Sequence, residues 1–541
     1  MFGSSRRVLV AASAFLAAWS ASIAANIGAN DQPPVLRLSQ RNEPADLDPA
    51  TATLPDEFFI IRALAEGLVV PSTDGGAPLP AAAERWDISE NGLVYTFFLR
   101  KDGRWSNREP VTAQDFVASY HRLLSPATAA PKADLFFAVK NAREFVAGKV
   151  TDFSAVGFRA VDDYTFVVTL ERATPNFLLY VASGSWIPVN PRVVAKFGRA
   201  WTRPENHVGN GPFTLQEWRL RQHIRVVRNS LYHLERSRST GGTPVPLLQQ
   251  ISFIAFDNGD AEERAYRAGQ IDVTMAVPVT KLDLYARERS AELHRTALAE
   301  THYLAFNSQR APLNDARVRR ALALAIDRAA IVERVLRGGQ HSAGRLVPPQ
   351  LRPGNDAVNA QAWELRFDAA TARSLLAAAG FPGGKNFPRL EITSWARPAV
   401  LEGVQEMWRQ DLGIDVGVAL REAKVHADSL QRGNFDIGFI TQIPDVADSA
   451  AVLSDFATGA PGNYPHWSDS GFDALLLAAS RAPTDLERGA LLAQAEQRLI
   501  ESAAIAPLYF NAKNWLMSRR VNGWREDALW TRDYTAVDLA K

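Results

Sequence analysis

No cysteine occurs in the 541 residues, which excludes disulfide staples, thiolate metal sites and cysteine nucleophiles. An excess of charge of one sign is lacking too. The 60 basic and 59 acidic residues leave a formal charge of +1, so no broad field draws the chain to nucleic acid or to an anionic membrane. No G-x-S-x-G, H-E-x-x-H or G-x-x-x-x-G-K-[ST] is present. Gly380 to Lys385 comes nearest to a phosphate loop, but its spacing is wrong and no Ser or Thr follows Lys385. The nine histidines never fall within four residues of one another, so no helix turn carries a ligating pair. No catalytic residue, metal or cofactor is therefore expected. Long apolar runs are scarce as well. One follows Arg6 and Arg7, from Val8 to Ala18, and ends at the small-x-small site Ser22-Ile23-Ala24. It is too short to span a bilayer and predicts a cleaved secretory signal peptide over residues 1–24. Ser5 to Leu9 also fits a twin-arginine export signal.

What is present is apolar material for large cores, at 47% of residues, on a length that suggests about three domains. The stretch from Leu93 to Pro126 organises the first half. Val94 to Leu99, aromatic and β-branched, predicts a strand, and Lys101 to Arg104 a polar turn. Thr112 stands where an N-cap belongs, its hydroxyl able to accept an orphan amide proton, with Asp115 three residues on. Phe116, Val117, Tyr120, Leu123 and Leu124 then make one apolar helix face, which Pro126 ends. Further along, Phe158 to Leu170 reads as a hairpin, Asn190 to Phe197 as a helix and Ser237 to Pro246 as a surface loop. Val318, Ala321, Leu322, Ala325 and Ile326 line a helix capped by Asn314 or Asp315. Leu390 to Trp395, Val416 to Leu420 and Phe435 to Ile440 predict strands separated by helices, the pattern of a mostly parallel α/β sheet. Ile505 to Phe510 is a closing strand.

Two pieces of text carry more than periodicity. Leu99-Arg100-Lys101-Asp102-Gly103-Arg104-Trp105, followed by Pro110-Val111-Thr112-Ala113-Gln114-Asp115-Phe116, is one. Pro312 to Leu322, with Ala325-Ile326-Asp327-Arg328, is the other. Both closely resemble the bacterial extracytoplasmic solute-binding proteins of family 5, which serve peptide and nickel ABC importers, and especially their periplasmic oligopeptide-binding branch. The resemblance covers nearly all of the chain after the leader. It implies an α/β, two-lobed periplasmic binding protein (type II, cluster C) with an extra inserted domain, three domains in all. Residues 25–65, 189–299 and 506–541 would form the first lobe, 66–188 the inserted domain and 300–505 the second lobe. The implied role is capture of a peptide or peptide-like solute and its delivery to an ABC permease with its ATPase subunits, by a monomer that binds no nucleic acid. A leader without a lipid-attachment cysteine implies a soluble periplasmic protein rather than a lipoprotein.

The family places its ligand-facing aspartate in a segment that corresponds here to Phe435 to Ser449, and the aligned residue is Asp445. A buried ligand ammonium needs a fixed carboxylate to offset its desolvation; the residue-level alternative is a loop-shaping Asp after Pro444. Thr441, Gln442 and Ile443 accompany Asp445, with Thr441 and Gln442 in place of the family's Gly and Trp. Phe439 and Leu430 stand where relatives often carry arginine, and Thr53 and Lys132 where they tend to carry Glu and Tyr. The expectation is a cleft stripped of its two arginines, in which Lys132 supplies a substitute cation as a point charge. A more apolar ligand follows as an alternative: opine, bile acid, haem, metal chelate or oligosaccharide. A periplasmic enzyme on the same scaffold and a chaperone-like binder of polypeptide are the rivals from other classes.

Overall fold

The computed structural model describes residues 34–73, 75–233, 247–352, 363–482 and 484–540. The leader and the loop from Ser237 to Pro246 lie outside them.

Strand Val35–Gln40 turns Leu36 and Leu38 fully inward. It pairs in parallel with Gln250–Ala255, which pairs antiparallel with His223–Arg228 and so with the hairpin partner Phe213–Arg219. Helix Pro55–Leu64 closes this sheet with Phe59, Ile60 and Ile61, and Tyr534 and Val537 from the C-terminus join the same core. That is the first lobe.

The inserted domain is a separate four-stranded antiparallel sheet, in the order Ala83–Ile88, Val94–Leu99, Thr165–Thr169, Phe158–Asp162. The expected hairpin and strand are therefore both here. Helix Ala113–Leu124 packs Phe116, Tyr120, Leu123 and Leu124 into its core, while Val117 is only half-buried. At the helix start Asp115 Oδ2 accepts from the Thr112 amide (2.9 Å) and from Trp105 Nε1 (3.0 Å). One carboxylate thereby fixes both the cap and the preceding turn. Trp186 stacks on Phe136 with ring centroids 4.3 Å apart, and its carbonyl accepts from the Tyr120 hydroxyl.

The second lobe is built on a six-stranded sheet. The expected helix runs Ala316–Leu324 with Asp315 as N-cap, and its apolar face is buried. The sheet departs from the mostly parallel expectation. Only Leu390–Ser394 with Val416–Leu420, and Leu390–Ser394 with Ile437–Gln442, pair in parallel. The remaining pairings are antiparallel, because two long strands, Leu293–Phe306 and Ile505–Leu516, run into this sheet from the other lobe. The closing strand is thus longer than expected, roughly 40 Å at about 3.3 Å per residue. At its far end Thr274 N donates to Leu516 O (2.9 Å) and Leu516 N to Thr274 Oγ1 (2.8 Å), stitching it to the first lobe. The long pair therefore connects the lobes, and its register breaks between Ala297 and Thr301 and again after His302. A break of this kind frees a few residues from the ladder and re-aims their side chains. Among the described residues no helix is long and apolar enough to cross a membrane.

Candidate functional site

The irregularity between the long strands opens onto a cavity of about 710 Å³. Leu298, Glu300 and His302 come from one strand and Asn511, Ala512, Lys513 and Asn514 from the other, and together they form the floor. The first lobe adds Arg41, Asn42, Leu54 to Asp56 and Met275 to Val277; the second adds Trp395 to Arg397, Thr441 and Ile443. Two of the second-lobe segments follow the carboxyl ends of neighbouring parallel strands, where α/β sheets commonly bind ligands. A larger cavity of about 790 Å³ lies at the back, between the first lobe and the inserted domain.

A chain of hydrogen bonds crosses the floor. Asn511 Nδ2 donates to Glu300 Oε1 (2.9 Å), the same oxygen lies 2.7 Å from His302 Nε2, and His302 Nδ1 lies 3.1 Å from Thr441 Oγ1. Burial lowers the pKa of His302 more than Glu300 raises it, so the ring is neutral. A carboxylate only accepts; hence Nε2 carries the proton to Glu300, and Nδ1 accepts from Thr441. Burial also works on Glu300, but His302, Asn511 and the charge of Arg397 outweigh it and hold that group below the ordinary range. Tyr509 and Phe439 sandwich the imidazole at centroid distances of 4.4 and 5.5 Å.

The floor residue Lys513 belongs to a second, buried cluster. Lys513 Nζ donates to both oxygens of Glu526 at 2.8 Å, and Arg532 Nε donates to Glu526 Oε1 at 3.2 Å. All three side chains are buried. Burial opposes both kinds of charge. For Glu526 the two cations win and hold it at about 2; for Lys513 burial wins over Glu526 and brings it down to about 8.

The residues expected at the site divide. Thr441 and Ile443 line the cavity. Phe439 is fully buried behind His302, and the Gln442 amide nitrogen donates to Val452 O and Asp455 Oδ2, so neither side chain is part of the lining. Thr53 is exposed beside the lining residues Leu54 to Asp56, its amide held by Glu57. Asp445 and Lys132, 313 positions apart, form an ion pair across the gap between the second lobe and the inserted domain. Asp134 and Asp455 lie close to that pair. Both keep accessible surface, but it opens into the confined gap. Desolvation there, ahead of the charges of Asp134 and Asp445, pushes Asp455 up to about 6. The gap is thus acidic at this end.

Phe439 and Leu430 leave the family's two arginine positions without arginine, but Arg41 and Arg397, from other segments, line the cavity. Sequence reasoning missed them together with Glu300, His302, Asn511, Lys513 and Trp395. A usable signal existed for one segment, since Trp395 ends a predicted strand of the parallel set and Ala396 and Arg397 directly follow it. For the floor residues there was none, because hydrophobic alternation does not reveal a register break.

The family model for the bacterial extracellular solute-binding proteins, family 5 (middle), matches residues 77–464. The chain belongs to that family. The periplasmic oligopeptide-binding protein OppA of Salmonella typhimurium is 32% identical over 96% of this chain and 94% of its own. The probable deoxycholate-binding periplasmic protein YgiS of Escherichia coli is likewise 32% identical, over 91% of both chains. The structure of the Escherichia coli murein tripeptide-binding protein MppA matches 94% of this chain and 99% of its own at 30% identity and a TM-score of 0.82. A structure of MppA in its unliganded open form matches 94% of this chain and 98% of its own at 29% identity, with a TM-score of 0.74. The family fold is the two-lobed periplasmic binding protein with its inserted domain.

Proposed function

We propose that this protein is the periplasmic binding component of an ABC importer, capturing a peptide or peptide-like solute between its lobes and handing it to a membrane permease and its ATPase subunits. The observation that carries this reading is a cavity floored by the strands that join the lobes, with uncommitted cations in its lining and a cluster of carboxylates in the neighbouring gap. Asp134, Asp445 and Asp455 cluster around Lys132 in the gap, and Arg41 and Arg397 line the cavity that Ile443, two residues before Asp445, also lines. A zwitterionic chain suits that polarity, ammonium toward Asp445 and carboxylate toward the arginines. Asp445 then exchanges Lys132 for the ligand ammonium. The names of OppA and MppA support a peptide. The lower overlap with the MppA form named open supports a comparatively closed arrangement here.

The same reading makes the protein a soluble periplasmic monomer released from a leader near Ala24. The lobes and the inserted domain are bounded near residues 65, 188, 299 and 505, a division that three nearly separate hydrophobic cores support. The role is binding rather than catalysis, in keeping with the family's description. A carboxylated apolar solute is the second reading; Trp395, Ile443, Val277, Leu298 and Trp530 along the cavity favour it, as does the name of YgiS. Native mass spectrometry of protein taken directly from the periplasm tests these alternatives. A co-purifying peptide mass is the expected result. A single non-peptide mass transfers the assignment to the second reading, and heterogeneous polypeptide would replace it with a chaperone.

A further inference from the structure

Of the charged groups that line the cavity, most are already committed. Asp56 accepts from Asn42 Nδ2 (2.7 Å), Glu300 from Asn511 and His302, and Lys513 is neutralised by Glu526. Arg41 and Arg397 are different. Both are exposed into the cavity, and neither guanidinium donates a hydrogen bond or forms an ion pair among the described residues. They come from opposite lobes. Arg41 follows strand Val35–Gln40, and Arg397 stands at the N-cap of helix Pro398–Leu412.

Their fields converge on the floor. Arg41 helps to lower the pKa of Lys513, and Arg397 acts on Glu300, His302 and Tyr509. Arg397 has φ +61°, a left-handed backbone that a non-glycine residue seldom adopts. The helix that begins there runs 15 residues and has no acidic side chain in its first turn, so its positive end is left unbalanced beside the guanidinium. With Lys513 set aside because Glu526 pairs with it, the charged lining is Arg41 and Arg397 against Asp56 and Glu300, and both of those carboxylates already accept hydrogen bonds from the protein.

We propose that Arg41 and Arg397 form a clamp that takes one ligand carboxylate from both lobes at once. Each planar guanidinium offers a fork of donors that matches a carboxylate's oxygens. Because the two forks sit on different lobes, both engage the anion only when the lobes are together, so carboxylate binding and closure are one event. The clamp rests on the assignment of this cavity as the ligand site. It specifies a carboxylate and leaves two sources for it, the C-terminus of a peptide or the acid group of an apolar solute.

Calorimetry with four probes separates these cases: a pool of synthetic tripeptides with free C-termini, the same pool as C-terminal amides, octanoate and octanamide. Wild-type protein is expected to bind at least one of the two acids at least about tenfold more tightly than its amide. Arg397→Gln should weaken that acid about tenfold and Arg41→Gln with Arg397→Gln about a hundredfold, with Arg397→Lys in between because it keeps charge but loses the fork. Melting temperatures of the unliganded variants should match wild type, since both side chains are exposed. Amides that bind as well as acids, a double variant with wild-type affinity for the acids, or no binding of either acid would each overturn the clamp. If tripeptides bind but their amides do so equally, the peptide importer stands and the clamp falls. Arginine-dependent binding of octanoate alone keeps the clamp and removes the peptide.

Discussion

Two cation–carboxylate clusters in this protein share their chemistry and differ in their surroundings. Lys513 of the cleft floor, Glu526 and Arg532 are buried, with side chains 2%, 4% and 2% exposed. Lys132 and Asp445 meet across a gap at 20% and 38%. In the first cluster each charge has lost its water and depends on its partners; taking one away leaves the others buried and unpaired. In the second, water can replace either partner, so the pair contributes little to folding and can be exchanged. Burial is what turns one ion pair into part of the frame and leaves the other available to a ligand.

The largest effect should come from breaking the buried cluster. Glu526→Gln leaves Lys513 and Arg532 without their shared anion and is expected to cost about 3–5 kcal/mol of stability, read from denaturant unfolding. A loss under about 1 kcal/mol would mean that water reaches the cluster. The same group sets a pH dependence. Folded Glu526 protonates only at about 2, against 4.5 for the free side chain, so the unfolded state binds the proton first. Its contribution is present above pH 4.5 and is lost as pH falls toward 2. The acid arm of the melting curve should be shallower in Glu526→Gln, and an unchanged slope would assign acid lability elsewhere.

Next comes the exposed pair as a binding element. Asp445→Asn keeps shape and removes charge, and loss of one side of a ligand ion pair costs roughly 2–5 kcal/mol of affinity for a peptide with a free amine. Folding stability should hardly move. Calorimetry on a purified peptide ligand checks this, and wild-type affinity would remove the ammonium anchor. Asp448→Asn offers a sharp contrast three residues away. Asp448 is buried, caps helix Ser449–Ser454 through Ala450 N and binds Arg488 through both oxygens, so its replacement should lower the melting temperature. The smallest effect belongs to Lys132→Met, within about 1 kcal/mol in stability. Its informative readout is small-angle scattering: without the pair across the gap, the radius of gyration should rise.

The secondary structure was largely legible because it depends on local rules. Helix Ala113–Leu124 follows from its apolar spacing and Pro126, with Thr112 as its N-cap and Asp115 bonding back to the Thr112 amide. Helix Ala316–Leu324 follows likewise from Asp315 and the buried face from Val318. Within the site, Thr441 and Ile443 were found because they follow a strand whose text matched the family. Gln442, the next residue on that strand, points to the opposite face by alternation, whereas Phe439 shares the face of Thr441 but is covered by His302.

By itself the sequence determined the elements, the apolar faces and membership of the family, since each rests on spacing along the chain or on text. Which charges meet was decided only in three dimensions. Lys132 finds Asp445 from 313 positions away, and Arg41 faces the same cavity as Arg397 because two long strands bring the lobes together. An arginine reads the same in sequence whether it is solvated, paired or left open to a ligand. Its role depends on the carboxylates and the water around it, and both are set by packing between segments far apart in the chain.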